Sequence, residues 1–269
     1  MTADTPFPLA SITKNFVATA AGILVEEGKL DWDDPVQKHL PAIQFPDDYR
    51  TRHTTLRDLL CHRTGLERAD LLAARGDLTN SQIVARIRYL KPLSGFREKF
   101  GYHNLMYYVA GELVSQAGGS PWDEFVAQRL LKPLGMDSTV ITNKIEPNKR
   151  AVLHRWQNGK LVAGQRQSVD VSPAGGLQST ANDMAKWTLT SLAKDDQVAL
   201  LPEKTRRHMR AIHTSIPVDY VLKNNRYAAR FFGRGLGWAT HEYQGRALSY
   251  HTGSTGAVFA TLPEEDFGV

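Results

Sequence analysis

The sequence predicts an α+β fold with segregated elements. Helical periodicity dominates from Ser11 to Leu192, short β-like runs rich in glycine and aromatic residues follow after about Arg230, and no internal repeat or low-complexity linker interrupts the order.

The elements follow in order. Met1 to Ala10 carries Pro6 and Pro8 and reads as extended. From Ser11, the residues Ile12, Phe16, Ala20, Ile23 and Leu24 recur at helical spacing, and Gly28 is placed to end the helix. Leu30 to Pro41 reads as a turn with acidic Asp31, Asp33 and Asp34, then a short helix. Thr54-Thr55 looks like the N-cap of a helix bearing Leu56, Leu59 and Leu60 and ending near Gly65. Asn80 to Arg88 and Asn104 to Ala117 are further helices, the second closed by Gly118-Gly119. Ser120-Pro121 opens another, with proline at the first helical position and acidic residues in the first turn, running to about Leu131. Asn158-Gly159 is a hairpin turn joining His154-Arg155-Trp156 to Lys160-Leu161-Val162. Thr180 to Leu192 is helical again. Strands are expected at Gly235 to Tyr243, Ala247 to His251 and Ala257 to Leu262, with turns at Gln244-Gly245 and Gly253 to Gly256.

Composition excludes several classes. The 269 residues are 42% apolar and 23% charged, as in ordinary globular proteins, which removes disorder, collagen-like repeats and disulfide scaffolds. The single cysteine, Cys61, forms no internal disulfide and, beside Leu59 and Leu60, reads as a buried structural thiol. The longest apolar run, Phe16 to Val25, is about half of what a bilayer crossing needs. Asp4 precedes it and Glu26-Glu27 follow without a small-residue cleavage site, so it is a core helix and neither span nor signal. No membrane partner and a cytoplasmic location are the corresponding expectations. The net charge of +5 is scattered, its densest cluster, Lys204 to His208, lying on one face of a helix. Without zinc-finger spacing, an RNA-binding signature or a basic tail, no nucleic-acid partner is expected. The nine histidines show no HExxH or paired-ligand spacing, and His208 and His213 read as members of a solvated helix, so neither a metal nor another cofactor is expected. The absence of a Gly-x-Ser-x-Gly elbow and of a phosphate-binding glycine loop argues against α/β-hydrolases and nucleotide enzymes.

Three constellations carry chemistry. Ser11 and Lys14 lie three positions apart at a helix start, about 60° from each other around the axis. A hydroxyl is a poor nucleophile until a base takes its proton, a desolvated lysine amine can serve, and a helix N-terminus favours the negative charge of acyl transfer. A chain of this size contains about one such pair by chance, and Ser191 with Lys194 is a second match, at the wrong end of its helix. Tyr102 and Asn104 offer a phenol and an amide from one loop, where a buried tyrosine and an N-cap asparagine would serve as well. His251, Thr252 and Gly253, followed by Ser254, end a β-like run; a hydrogen-bonding or cationic side chain on a strand edge before glycine leaves backbone groups open to a substrate. A plain hairpin turn has the same look, and Arg63-Thr64-Gly65 repeats the triplet at a helix end.

The order of the three is more telling than any one. Ser-x-x-Lys, then Tyr-x-Asn, then a basic residue with Thr-Gly resembles the serine β-lactamases and penicillin-binding proteins, and the tyrosine version looks like class C β-lactamases and their esterase relatives. Supporting matches run along the chain: Val25 to Lys29 followed by Leu30-Asp31 and Asp34-Pro35, Thr55 to Leu66, Pro133 to Met136, and Pro173 to Leu177. The resemblance implies a β-lactamase/transpeptidase-like fold, an antiparallel sheet with flanking helices and an inserted helix-rich domain. Over a single unit of residues 1–269, the α/β portion would comprise about 1–30 and 195–269 and the insert about 31–194. It further implies an acyl-enzyme at Ser11, Lys14 as proton acceptor or relay, and Tyr102 as general base with a pKa lowered by Lys14, the first base of the two being left open. Asn104 would hold a substrate carbonyl or amide, and the backbone N–H groups of Ser11 and Ser254 would form the oxyanion hole.

The substrate implied is a small-molecule ester, amide or lactam; hydrolysis, acyl transfer and ligand binding by an inactive homologue stay open. His251 stands where such enzymes usually carry lysine, which resembles the esterase and peptidase branch and weakens the expectation of a permanent cation. Relatives also carry several dozen residues before the nucleophile and a strand and long helix at the end, whereas ten residues precede Ser11 here. The remaining sheet is expected to have a bare edge and an uncovered apolar face, as in a degenerate homologue, a partial gene product or a homodimer lending strands to itself.

Overall fold

The computed structural model describes residues 1–74, 76–141, 150–164, 172–194, 199–218 and 229–269. The chain enters through β1 (Phe7–Pro8), makes a 3-10 turn at Ala10–Ile12 and continues into α1 (Thr13–Glu26). Every residue of α1 from Thr13 to Leu24 is buried, so it is the central helix, enclosed on all sides. It packs on α7 (Asn104–Gly118) and α8 (Trp122–Val126), and Gly28, at φ +69°, ends its exit turn as its place in the sequence predicts.

Five short helices precede α7: α2 (Val36–His39), α3 (Asp48–His53), α4 (Leu56–Leu60), α5 (Asp70–Ala74) and α6 (Asn80–Val84). Their starts are set by side chains. Asp47 caps α3, Thr55 and Asp58 form a reciprocal capping box on α4, and Thr79 with Gln82 does the same on α6. Asp58 is fully buried and also accepts from Arg63 and Arg97, which ties the loops on either side of it to α4. α7 stops at Gly119 in the left-handed conformation. Two helix starts differ from expectation: Pro121 is the N-cap residue of α8, not its first helical residue, and Asn104 opens α7 as a helical residue while His103 takes the N-cap position. α8 runs on as a π-helical turn over Ala127–Leu131.

The later elements are β2 (Val140–Ile141), β3 (His154–Gln157), β4 (Lys160–Ala163), β5 (Leu177–Ser179), α9 (Ala181–Leu192), α10 (Glu203–Arg210), β6 (Thr214–Ser215), β7 (Phe232–Arg234), β8 (Ala239–Tyr243), β9 (Arg246–Thr252), β10 (Val258–Leu262) and β11 (Phe267–Gly268). Strands β11-β10-β9-β8-β7-β6 form an antiparallel sheet in that order, β1-β5-β2 a small second one, and β3-β4 the expected hairpin through Asn158-Gly159, both at positive φ. The β8–β9 turn at Gln244-Gly245 likewise has positive φ at both residues. The segment Gly235–Trp238, expected as strand, is instead a turn closed by Gly235 N–H donating to the Trp238 carbonyl. It docks on α1, where Asn15 Nδ2 donates to the Gly237 carbonyl at 2.6 Å. β9 is an inner strand paired on both sides, so the His251-Thr252-Gly253 triplet ends an inner strand rather than an edge one.

The histidines expected to share a solvated helix do not: His208 is on α10, and His213 lies past its end. Both ring nitrogens approach Arg57 Nη1, at 3.0 and 2.9 Å. In the core, Trp187 of α9 stacks on Phe16 of α1 with ring centroids 3.9 Å apart.

Candidate active site

Ser11 sits in the 3-10 turn just before α1, following Ala10, whose φ of +46° is a strained value for a residue with a Cβ. Its hydroxyl is the meeting point of two donors. Lys14 Nζ, from the first turn of α1, donates to Ser11 Oγ at 3.1 Å, and Tyr102 Oη donates to the same oxygen at 2.9 Å. Lys14 is fully buried, and its Nζ also donates to the Ala174 carbonyl at 2.6 Å. Thr13 Oγ1 accepts the Leu177 N–H, fixing the start of β5 to the same turn. The lysine nitrogen lies 5.1 Å from the centre of the Tyr102 ring and 5.3 Å from that of Tyr107.

Tyr102 precedes α7 and is held by a residue that sequence reasoning did not single out. His62, buried and left-handed at φ +60°, accepts the Gly101 N–H on its carbonyl at 2.9 Å and the His103 N–H on Nδ1 at 3.1 Å. Its ring lies 4.5 Å from that of Tyr102. Burial, helped by the charges of Arg234 and Lys14, holds its pKa well below the ordinary histidine value, consistent with a bare Nδ1. The signal was present, since His62 falls within the Thr55 to Leu66 stretch that carries the family resemblance.

Burial pushes the Tyr102 phenol above the ordinary tyrosine value, against the Ser11 hydrogen bond and the charges of Arg234 and Arg68. The expected lowering by Lys14 is thus overturned. The resting phenol is neutral and donates.

Asn104 lies two residues on, but its Nδ2 donates to Asp70 Oδ1 at 3.1 Å, and its Oδ1 is buried without a partner among the described residues. His251 closes the site from β9, its ring centre 6.5 Å from that of Tyr102. Nδ1 meets the Thr252 carbonyl at 3.0 Å, and Nε2 is buried without a partner among the described residues. Burial and the charges of Lys14 and Arg234 hold it well below the ordinary histidine pKa, so it is a neutral hydrogen-bonding group and not a cation. Thr252 and Ser254 are exposed. Their turn rests on the approach to Ser11: Thr255 Oγ1 donates to the Pro8 carbonyl at 2.8 Å, and a Cβ on Gly253 would stand 2.4 Å from the Leu9 carbonyl oxygen, so only glycine fits.

The decoys have structural work. Lys194 pairs with Asp266 at 2.6 Å, far from any nucleophile role for Ser191, and Arg63 holds Asp58. Cys61 is buried, its thiol pushed up to about 11 by burial, which makes it inert at neutral pH. Among the described residues no group of three or more His, Cys, Asp or Glu is placed to hold a metal ion, and no helix is long and apolar enough to cross a membrane.

An antiparallel sheet with helices around half-buried Ser11 and Tyr102 and buried Lys14 is the arrangement of a β-lactamase/transpeptidase-like fold. The chain belongs to the β-lactamase family, whose model, described as Beta-lactamase, matches residues 1–269. It is 28% identical over 288 residues to an unguisins hydrolase of Aspergillus campestris, a match that takes in 100% of this chain and 52% of that protein. It is 26% identical over 243 residues to a β-lactamase of Pseudomonas fluorescens, across 90% of this chain and 62% of the other. The chain thus spans about half the length of the first of these relatives. Among solved structures, the octameric penicillin-binding protein homologue from Pyrococcus abyssi superposes with a TM-score of 0.83 at 25% identity, covering 99% of this chain and 61% of that one. A D-stereospecific amidohydrolase from Streptomyces sp. superposes at 0.77 with 22% identity, over 98% and 80%, and supports the fold.

Proposed function

We propose that the protein is a serine hydrolase that cleaves a small-molecule ester or amide, lactams included, through an acyl-enzyme at Ser11. The observation that carries this is the double approach of Lys14 Nζ and Tyr102 Oη to Ser11 Oγ, at 3.1 and 2.9 Å. A serine hydroxyl with two proton-handling groups in reach can pass its proton to one of them as its oxygen attacks a carbonyl carbon. The oxyanion that forms is assigned to the backbone N–H groups of Ser11 and Ser254, at the turn that rests on residues 8 and 9. Collapse breaks the bond to the leaving oxygen or nitrogen, which takes its proton from the Lys14–Tyr102 pair. The pair then draws a proton from water as it attacks the Ser11 ester, which releases the acid and restores the hydroxyl. Asn104 Oδ1, an acceptor without a partner among the described residues, suits a substrate N–H, and the Nε2 of neutral His251 likewise has no partner among them. Penicillin-binding proteins and amidohydrolases among the similar proteins support amide-type substrates.

The test is intact mass of wild type and Ser11→Ala after incubation with a fluorophosphonate and, separately, a penicillin. One adduct on the wild type and none on Ser11→Ala is expected. Folded wild-type protein that takes up neither reagent would overturn the reading, and a stable penicillin adduct would narrow the substrate to lactams and peptides.

A further inference from the structure

The charged and titratable groups around Tyr102 come from each element packed against it: Lys14 of α1, His62 beyond α4, Arg68 and Asp70 at the start of α5, Tyr107 of α7, Arg234 of β7 and His251 of β9. Three are basic side chains, and their circumstances differ. Lys14 is committed to Ser11 Oγ and the Ala174 carbonyl. Arg68 is 56% exposed and paired with Asp70, so its charge is screened and largely cancelled. Arg234 is half-buried, and among the described residues no carboxylate pairs with it. Its Nε is buried with no hydrogen-bond partner, and its guanidinium carbon lies 5.1 Å from the Phe100 ring centre and 5.7 Å from that of Tyr102. A guanidinium so placed keeps its charge, and burying it unpaired is costly.

We propose that Arg234 is the fixed cation of this site, a positioning residue that stabilises negative charge on Tyr102 while the Ser11 proton is in transit. The proposal rests on the reading of Ser11 as nucleophile and Tyr102 as its proton partner. It accounts for a charge that no carboxylate among the described residues pairs with. It also fits the direction in which Arg234 acts on its neighbours, making ionisation of Tyr102 easier and protonation of His62 and His251 harder. Phe100, on the other flank, fixes the guanidinium by cation–π contact without neutralising it.

The experiment compares Arg234→Gln and Arg234→Lys with wild type in two measurements. Tyrosinate difference absorbance, with Tyr102→Phe to identify the transition of Tyr102, is expected to move about one pH unit upward in Arg234→Gln and to stay near wild type in Arg234→Lys. The rate of fluorophosphonate labelling between pH 6 and 10 is expected to fall about tenfold in Arg234→Gln, with recovery toward higher pH, and to be restored in Arg234→Lys. An unchanged Tyr102 titration in folded Arg234→Gln overturns the proposal. Should that variant melt early, Arg234→Met, which keeps the stem against Phe100, carries the same comparison. If wild type is never labelled at Ser11, the hydrolase reading falls, while the absorbance measurement still decides whether Arg234 acts on Tyr102.

Discussion

His62 grips Tyr102 from behind: the two rings lie 4.5 Å apart, and the backbone on either side of the tyrosine hydrogen-bonds to His62, Gly101 to its carbonyl and His103 to its imidazole. His62 does this from a left-handed conformation that costs a residue with a Cβ about 1 kcal/mol or more. His62→Ala is therefore expected to lose both the ring contact and the acceptor for the His103 N–H, and to let Tyr102 drift from Ser11. A displacement on the order of 1 Å costs about a hundredfold in rate. His62→Asn, which tolerates the left-handed conformation and can accept a hydrogen bond, should recover stability but not rate. Equal recovery of both, measured by thermal melt and labelling rate, would show that the ring itself does not position the phenol.

Tyr102 donates to Ser11 at rest and its phenol is harder to ionise than an ordinary tyrosine. A group in that state is suited to give its proton to a departing amine. Tyr102→Phe is expected to slow amide cleavage by about 10² to 10⁴, and to slow an activated ester, whose leaving group needs no proton, much less. Parallel kcat/KM measurements on one amide and one nitrophenyl ester check this. Equal losses on both would place the phenol in the attack step alone.

The buried histidines make stability depend on pH with a definite sign. Burial holds His103 down to about 4, from 6.5 when unfolded. Below pH 6.5 the unfolded chain binds the proton and the folded one does not, so stability is full above pH 6.5 and falls as pH drops towards 4. His103 alone contributes about 3 kcal/mol to that loss, and His62 and His251 act in the same direction. The His103 ring is buried, with only a weak approach to the Glu67 backbone among the described residues, so His103→Phe sacrifices little hydrogen bonding. It should make the fall in melting temperature between pH 6.5 and 4 less steep, His62, His213 and His251 still contributing, and leave the melting temperature nearly unchanged at pH 8. An equally steep profile in the variant would remove His103 from the account.

What the sequence made legible is local. The Ser11–Lys14 spacing, the turns at Asn158-Gly159 and Gln244-Gly245 and the capping threonine Thr55 follow from rules that span a few residues, and each is realised in the structure. Tyr102 was found through motif order, because the phenol and Ser11 are 91 positions apart. The contacts that escaped are the ones local rules do not reach. The Ala174 carbonyl that takes the Lys14 amine, the His62 clamp and the approach of Arg234 to Tyr102 all arise where distant segments are folded together. The direction of the Tyr102 pKa was misjudged for a related reason: a nearby cation is readable from spacing, but the desolvation that outweighs it depends on how fully the phenol is enclosed.

The turn at Gly237 sets the separation between α1 and the sheet, and so the separation between Ser11–Lys14 on one side and His251 on the other. Its φ is +83°, and a Cβ there would lie 2.7 Å from that of Ala18 and 3.1 Å from the Lys14 carbonyl oxygen. Both objections act together in Gly237→Ala: left-handed backbone costs about 1–2 kcal/mol, and the contact with a buried helix that has no room to move adds an overpacking penalty of about 1–3 kcal/mol. The Asn15 amide, which donates to the Gly237 carbonyl at 2.6 Å, would be pushed off its acceptor as the turn retreats. The expected result is a melting temperature lower by several degrees, with the labelling rate at Ser11 reduced in the protein that remains folded. Ala18→Gly, combined with Gly237→Ala, opens the space but leaves the backbone strain, so it should restore labelling more completely than it restores the melt. If the double variant recovers neither, the turn acts through its own conformation alone and not through its contact with α1.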